Sequence, residues 1–132
     1  MNKVIESIVP QTVERVAGSG NKFVNLAEGN SDFYVNLVPG FKHWDMCGSE
    51  AIFAARFGIV TDAYNDPLIY DGLNGQHTLP NGILAAKNKR MIDVAHERIT
   101  TKLGSTLGEC HKLVAKAAEE SKRLRKLESN KQ

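Results

Sequence analysis

The sequence predicts an α/β fold in which helices are laid on a largely continuous sheet. Three observations predict it. Hydrophobic residues make up 42% of the 132-residue chain and charged residues 24%, enough to bury a core in one ordinary domain. Short apolar runs alternate with stretches of helical period, in the order β-α-β-α-β-β-β-α-α after a first helical turn or two. Glycine, proline and asparagine fall at the joints between these runs rather than inside them.

Residues 2–8 read as the end of a helix stopped by Pro10, which has no N–H to continue one. Thr12 to Val16 alternates polar and apolar positions and is expected as a short strand. The Gly18-Ser19-Gly20-Asn21 turn follows. A helix from about Asn21 to Glu28 puts Phe23, Leu26 and Ala27 on one side, and Gly29-Asn30 closes it. Phe33 to Val38 reads as a buried strand ended by Pro39-Gly40. From Trp44 to Phe57 the positions Met46, Cys47, Ala51, Ile52, Ala54 and Ala55 have helical spacing, with Gly58 as the expected C-cap.

Ile59 to Thr61 and Leu68 to Tyr70 read as two short strands around an Asn65-Asp66-Pro67 turn. Residues 71–81 form a loop, and Gly82 to Ala86 a short buried strand. Lys89 to Leu103 is a helix. A further helix from Ser105, its cap, to about Leu127 would align Leu107, Cys110, Val114, Ala117 and Leu124 in one stripe.

The net charge of +2 is too small to argue for nucleic acid or a membrane surface. It is unevenly spread. Residues 100–132 carry eight Lys or Arg against four Glu, leaving a slightly acidic body with a basic tail. Residues 1–103 are expected to form one subdomain and 104–132 a basic helical extension. The two cysteines, Cys47 and Cys110, lack the paired spacing of a disulfide framework or a zinc site. No leader-like segment and no run of about 20 apolar residues is seen, so the expectation is a soluble, cytoplasmic protein.

Two segments have the composition of a chemical site. In Lys42-His43-Trp44-Asp45-Met46-Cys47, Asp45 falls in the first turn of a helix. A carboxylate there either caps the helix and offsets its dipole or serves as a hard oxygen ligand for a cation such as Mg²⁺. One Asp cannot hold the ion alone. In Ala17-Gly18-Ser19-Gly20-Asn21-Lys22, two glycines before a helix either make a tight turn or let backbone N–H groups approach an anion, with Lys22 adding charge. The spacing is neither that of a nucleoside-triphosphatase loop nor that of a dinucleotide fingerprint. His77, His96 and His111 have no ligand spacing and read as surface histidines. Cys47 reads as a packed helix residue.

These segments together resemble a known family. The run Val16 to Lys22, the strand Phe33 to Gly40, Trp44-Asp45-x-Cys47 with Glu50-Ala51-Ile52, Gly58-Ile59-Val60-Thr61-Asp62 and Gly82-Ile83-Leu84-Ala85 look like the second half of a 3′(2′),5′-bisphosphate nucleotidase, of the inositol monophosphatase-like superfamily. The resemblance covers about residues 10–100. It implies the C-terminal half of a layered αβαβα fold with a mixed sheet. It also implies a Mg²⁺-dependent, lithium-sensitive phosphomonoesterase that removes the 3′-phosphate of 3′-phosphoadenosine 5′-phosphate. Asp45 takes the position of a metal ligand, and Gly18 and Lys22 the positions that contact the nucleotide.

The chain departs from the family pattern at Gly48-Ser49, at His43 and at Phe57-Gly58, where Gly-Gly is usual. The family's N-terminal Glu and Asp-Pro-x-Asp-x-Thr motifs do not precede Asp45. Asp66-Pro67-Leu68-Ile69-Tyr70-Asp71 is similar to the latter only superficially and reads as a turn and hairpin. The expectation is therefore a half-domain that is inactive alone and completed by an N-terminal half in trans or by a homo-oligomer. The alternatives are an inositol (poly)phosphate phosphatase fragment and a non-catalytic module that binds a partner through its C-terminal helix.

Overall fold

The computed structural model describes residues 2–38, 40–70 and 77–104, with 108, 109, 112, 116 and 123. Among the described residues the elements run in the order α1 (Asn2–Ile8), α2 (Ser19–Glu28), β1 (Phe33–Asn36), α3 (His43–Ala55), β2 (Ile59–Thr61), β3 (Ile83–Ala86) and α4 (Lys89–Leu103). The strands form one sheet in the order β1-β3-β2, so the last strand in sequence is central. Phe33 lies opposite Ala86 and Asn36 opposite Ile83 on one side of β3, and Ile59 lies opposite Ala86 on the other. Both pairings are antiparallel, so the mixed character expected of the sheet does not show in these three strands.

β3 is buried at all four positions. Its side chains alternate between the two faces, as the pleat requires. Leu84 and Ala86 join Val4 of α1 and Ile92 and Ile99 of α4 in one core. Ile83 and Ala85 join Phe23 and Leu26 of α2 and Met46 and Phe53 of α3 in the other. Phe53 meets Phe23 edge-on, with ring centroids 5.7 Å apart, an arrangement favoured by the ring quadrupoles. Helices thus cover both faces of the sheet, and the α/β class stands.

The local signals explain most element ends. Asn88 caps α4 by accepting the Met91 N–H at 3.0 Å. Gly29 closes α2 in the left-handed conformation (φ 86°), its N–H reaching the carbonyls of Asn25 and Leu26. Arg98 of α4 donates to the Ile8 carbonyl at 2.7 Å and so caps the C-terminus of α1.

Four expectations are corrected. Cys47, read as a packed helix residue, is exposed, because it falls on a side of α3 turned away from the buried Met46 and Phe53. Thr12 to Val16 is not a strand. Thr12 to Arg15 are exposed, and the alternation of two valines offers no apolar face to bury. Leu68 to Tyr70 is not a strand either, so among the described residues the Asn65-Asp66 turn closes no hairpin. Ile69 is 74% exposed there, and Tyr70 bonds to Glu50 of α3 instead of to a neighbouring strand. Finally, α3 ends at Ala55 with Arg56 as its cap, and Phe57 rather than Gly58 takes the left-handed conformation (φ 63°). Gly58 is needed for another reason: a side chain there would overlap the Phe53 ring. The C-terminal stripe of Leu107, Cys110, Val114, Ala117 and Leu124, with its cap Ser105 and with His111, lies outside the described residues.

Candidate functional site

The site is built where the N-terminus of α2 meets α3 at Ser49, one turn on from Asp45. Gly18 precedes α2 with φ 77°, a conformation that glycine adopts without strain, and no side chain caps the helix. The first N–H groups of α2 are therefore open, and the helix dipole adds to their attraction for an anion. Asn21 steadies the turn by donating to the Ala17 carbonyl at 3.2 Å. Gly20 faces α3: a methyl group on it would lie 4.0 Å from Ser49 Oγ. Ser49 is four residues after Asp45, on the same side of α3. The open end of α2 and the Asp45 flank of α3 thus belong to one surface.

Asp45 is half-buried and sits in the first turn of α3. Its Oδ2 accepts the Lys42 N–H at 2.9 Å, which is the helix-capping role. The Lys42 ammonium turns away and donates to Thr78 Oγ1 at 2.7 Å. Backbone bonds from His43 to the His77 carbonyl (2.9 Å) and from Leu79 to the Phe41 carbonyl (2.8 Å) fasten residues 77–79 alongside 41–43. That fastening brings His77 to the site. Its ring lies 6.1 Å from that of His43 and 5.8 Å from that of Trp44, and Tyr70 lies 5.3 Å from His43 on the other side. Read from sequence as a surface histidine, His77 is exposed but belongs to this aromatic group. Only the pairing of two distant segments reveals it.

The Tyr70 hydroxyl donates to the Glu50 carboxylate. Burial, then the bond to Glu50 and the negative charge of that carboxylate, push its ionisation far above the usual tyrosine range.

Lys22 does not reach into open solvent. Its ammonium rests over the rings of Tyr34 (5.2 Å) and Phe41 (6.0 Å), the residue next to Lys42. It also lines a cleft of about 820 Å³ between residues 10–16 and the side of β1 away from β3. The Tyr34 hydroxyl is buried at that place with no hydrogen-bond partner among the described residues.

A magnesium site is not complete here. Among the described residues no group of three or more His, Cys, Asp or Glu is placed to hold a metal ion. Asp45 offers one carboxylate, of which one oxygen is already bonded to the backbone. Asp66 lies in the turn after β2, where its N–H donates to Asp62 Oδ1 at 3.0 Å.

Three antiparallel strands covered by helices on both faces, with an uncapped glycine turn and a helix-borne aspartate on one surface, define an α/β fold with one candidate site. Residues 2–112 match the model of the inositol monophosphatase family, and the chain belongs to that family. Among curated proteins it is 43% identical over 82 residues to 3′(2′),5′-bisphosphate nucleotidase 1 of Rattus norvegicus, covering 62% of this chain and 26% of the relative. To the protein of that name from Homo sapiens it is 39% identical over 88 residues, covering 64% and 28%. To that of Dictyostelium discoideum it is 30% identical over 96 residues, covering 71% and 31%. The chain thus spans about a quarter of the length of these relatives. Among solved structures, SaIMPase-II bound to inositol monophosphate superposes with a TM-score of 0.68 at 18% identity, over 85% of this chain and 41% of that one, which shows the fold.

Proposed function

We propose that this chain forms part of a magnesium-dependent phosphomonoesterase of the 3′(2′),5′-bisphosphate nucleotidase type, acting in the cytoplasm on 3′-phosphoadenosine 5′-phosphate. The observation that carries the reading is the meeting of the uncapped N-terminus of α2 with the Asp45 flank of α3. The N–H groups after Gly18, with the dipole of α2, bind and orient an anionic phosphate of the nucleotide. Lys22 adds a fixed positive charge held over two rings. Asp45 keeps its backbone bond through Oδ2 and presents its other oxygen as one metal ligand among several, the rest coming from outside the described residues. The identity to the nucleotidases, higher than that to the inositol phosphate-bound structure, favours the nucleotide over an inositol phosphate.

The test is phosphate release from 3′-phosphoadenosine 5′-phosphate with Mg²⁺, by the chain alone and by the chain combined with the N-terminal part of the rat relative. The expected result is activity only in combination. Asp45→Ala should lower it by about a hundredfold or more, since a metal contributes several kcal/mol to charge neutralisation in the transition state. Robust turnover by the chain alone, or full activity of Asp45→Ala, would refute the reading. Silence in both conditions from a folded chain would select the non-catalytic alternative.

A further inference from the structure

The step from Asn81 to Gly82 leads into β3, and the fold constrains both of its residues. Gly82 is buried with φ 72°, and Leu37 Cα and the Asn36 carbonyl oxygen lie where a side chain would begin, so glycine is the residue that fits. Asn81 is half-buried. Its Nδ2 donates to Asp62 Oδ2 at 2.8 Å, and its carbonyl accepts the Ala63 N–H at 3.2 Å. The fold thus selects an asparagine followed by a glycine, the pair in which the next backbone nitrogen has least steric cover and attacks the side-chain amide most readily. Asparagine is a thermolabile residue for this reason.

The reaction needs only water. The Gly82 nitrogen attacks Asn81 Cγ, the Cγ–Nδ2 bond breaks, and the proton from the Gly82 nitrogen leaves with Nδ2 as ammonia. Water then opens the cyclic imide at either carbonyl, giving aspartate or isoaspartate at position 81. In the folded chain the ring cannot close without Asn81 leaving Asp62 and the peptide to Gly82 turning. Ala63 holds that peptide from one side. Gly82 is wedged against residues 36 and 37 on the other, beside the rung where Asn36 lies opposite Ile83.

We propose that Asn81-Gly82 is a deamidation site latched by the fold: protected while β3 is paired, reactive whenever the sheet opens, and once reacted a block to re-forming it. Aspartate at position 81 sets a second carboxylate against Asp62, which is almost wholly out of water, where like charges are hardest to hold together. Isoaspartate adds a carbon to the backbone just before a glycine that has no room to shift. β3 contributes to both cores, so either product reaches both. The chain thereby keeps a one-way record of having been unfolded.

The wild-type chain is aged at mildly alkaline pH in native buffer and in guanidinium chloride, and peptide mass spectrometry follows the mass gained at Asn81. Asn74-Gly75, which lies outside the described residues, reports the intrinsic rate in denaturant. The expected result is similar reaction at the two steps in denaturant and reaction at Asn81 slower by about tenfold or more in native buffer, because modification through an opened state scales with the population of that state. Asn81→Asp reproduces one product and should unfold at a lower urea concentration than wild type. Chains aged in denaturant and then diluted should leave the isoaspartate form enriched in the fraction that fails to refold. Equal rates at Asn81 in native buffer and denaturant would overturn the latch. A wild-type unfolding midpoint for Asn81→Asp, or isoaspartate chains refolding in wild-type yield, would overturn the block.

Discussion

Asp62 directly follows β2 and is only 9% exposed, a carboxylate held almost wholly out of water. Its Oδ1 accepts the N–H groups of Tyr64 (2.8 Å) and Asp66 (3.0 Å), and its Oδ2 accepts Asn81 Nδ2 at 2.8 Å. The turn after β2 is thereby tied to the residue that leads into β3. Asp62→Ala removes three bonds and strands two backbone donors. At about 1 kcal/mol for each bond, with more for those to a charged acceptor, the expected loss is about 3–4 kcal/mol of stability. Asp62→Asn keeps the Oδ1 acceptor and sets one amide donor against another at Asn81, for a loss of about 1 kcal/mol. Reversing the pair in Asp62→Asn with Asn81→Asp should recover much of it. Urea unfolding followed by circular dichroism measures all three variants. A loss below about 1 kcal/mol for Asp62→Ala, or equal losses for the alanine and asparagine variants, would refute the account of how the turn is held.

Two further predictions follow from single positions. Gly82 has φ 72°, and a methyl group on it would lie 2.5 Å from Leu37 Cα and 2.6 Å from the Asn36 carbonyl oxygen. Gly82→Ala should cost about 3 kcal/mol or more in the same unfolding assay, because left-handed strain adds to a backbone clash that the β1–β3 register forbids from relaxing; wild-type stability would contradict this. Tyr70 is neutral in the fold and its ionisation is raised, so whatever it contributes to stability is present below the ordinary tyrosine value and lost as pH rises above it. In Glu50→Gln the hydrogen-bonded charge is gone while burial remains, so a titration at 295 nm should show Tyr70 ionising at lower pH than in the wild type, and an unchanged titration would exclude Glu50 as a cause.

Helices were the most legible part of the fold because their signals are local. The span Lys89 to Leu103 follows from apolar period and flanking glycine, and Gly29 marks the end of α2 without any tertiary information. Strands were less legible because a strand is decided by its partner. Thr12 to Val16 has the alternation but no neighbour, while Ile59 to Thr61 is held in place by β3. The order β1-β3-β2 leaves no trace in the local pattern. Phe57 and Gly58 divide the two duties of a glycine pair, left-handed geometry and close approach, in a way that only the position of the Phe53 ring settles. At the candidate site, Asp45 and the Gly18 turn were legible from motif. Lys22 was named, but its seat over Tyr34 and Phe41 was not, and His77 came to light only through the backbone bonds that fasten 77–79 to 41–43.

The central place of β3 also sets a schedule. Among the described residues β1 and β2 each bond only to a strand made after both, so neither can form that pairing as it leaves the ribosome. Neither of the two helical cores can close until Ile83 to Ala86 arrives. Until then the nascent chain carries two open strands and two half-made apolar faces, the condition in which chaperones capture a chain or neighbouring copies associate. Assembly of this sheet thus waits on the four residues Ile83 to Ala86, and the core between α1 and α4 waits longer still, for Ile92 and Ile99.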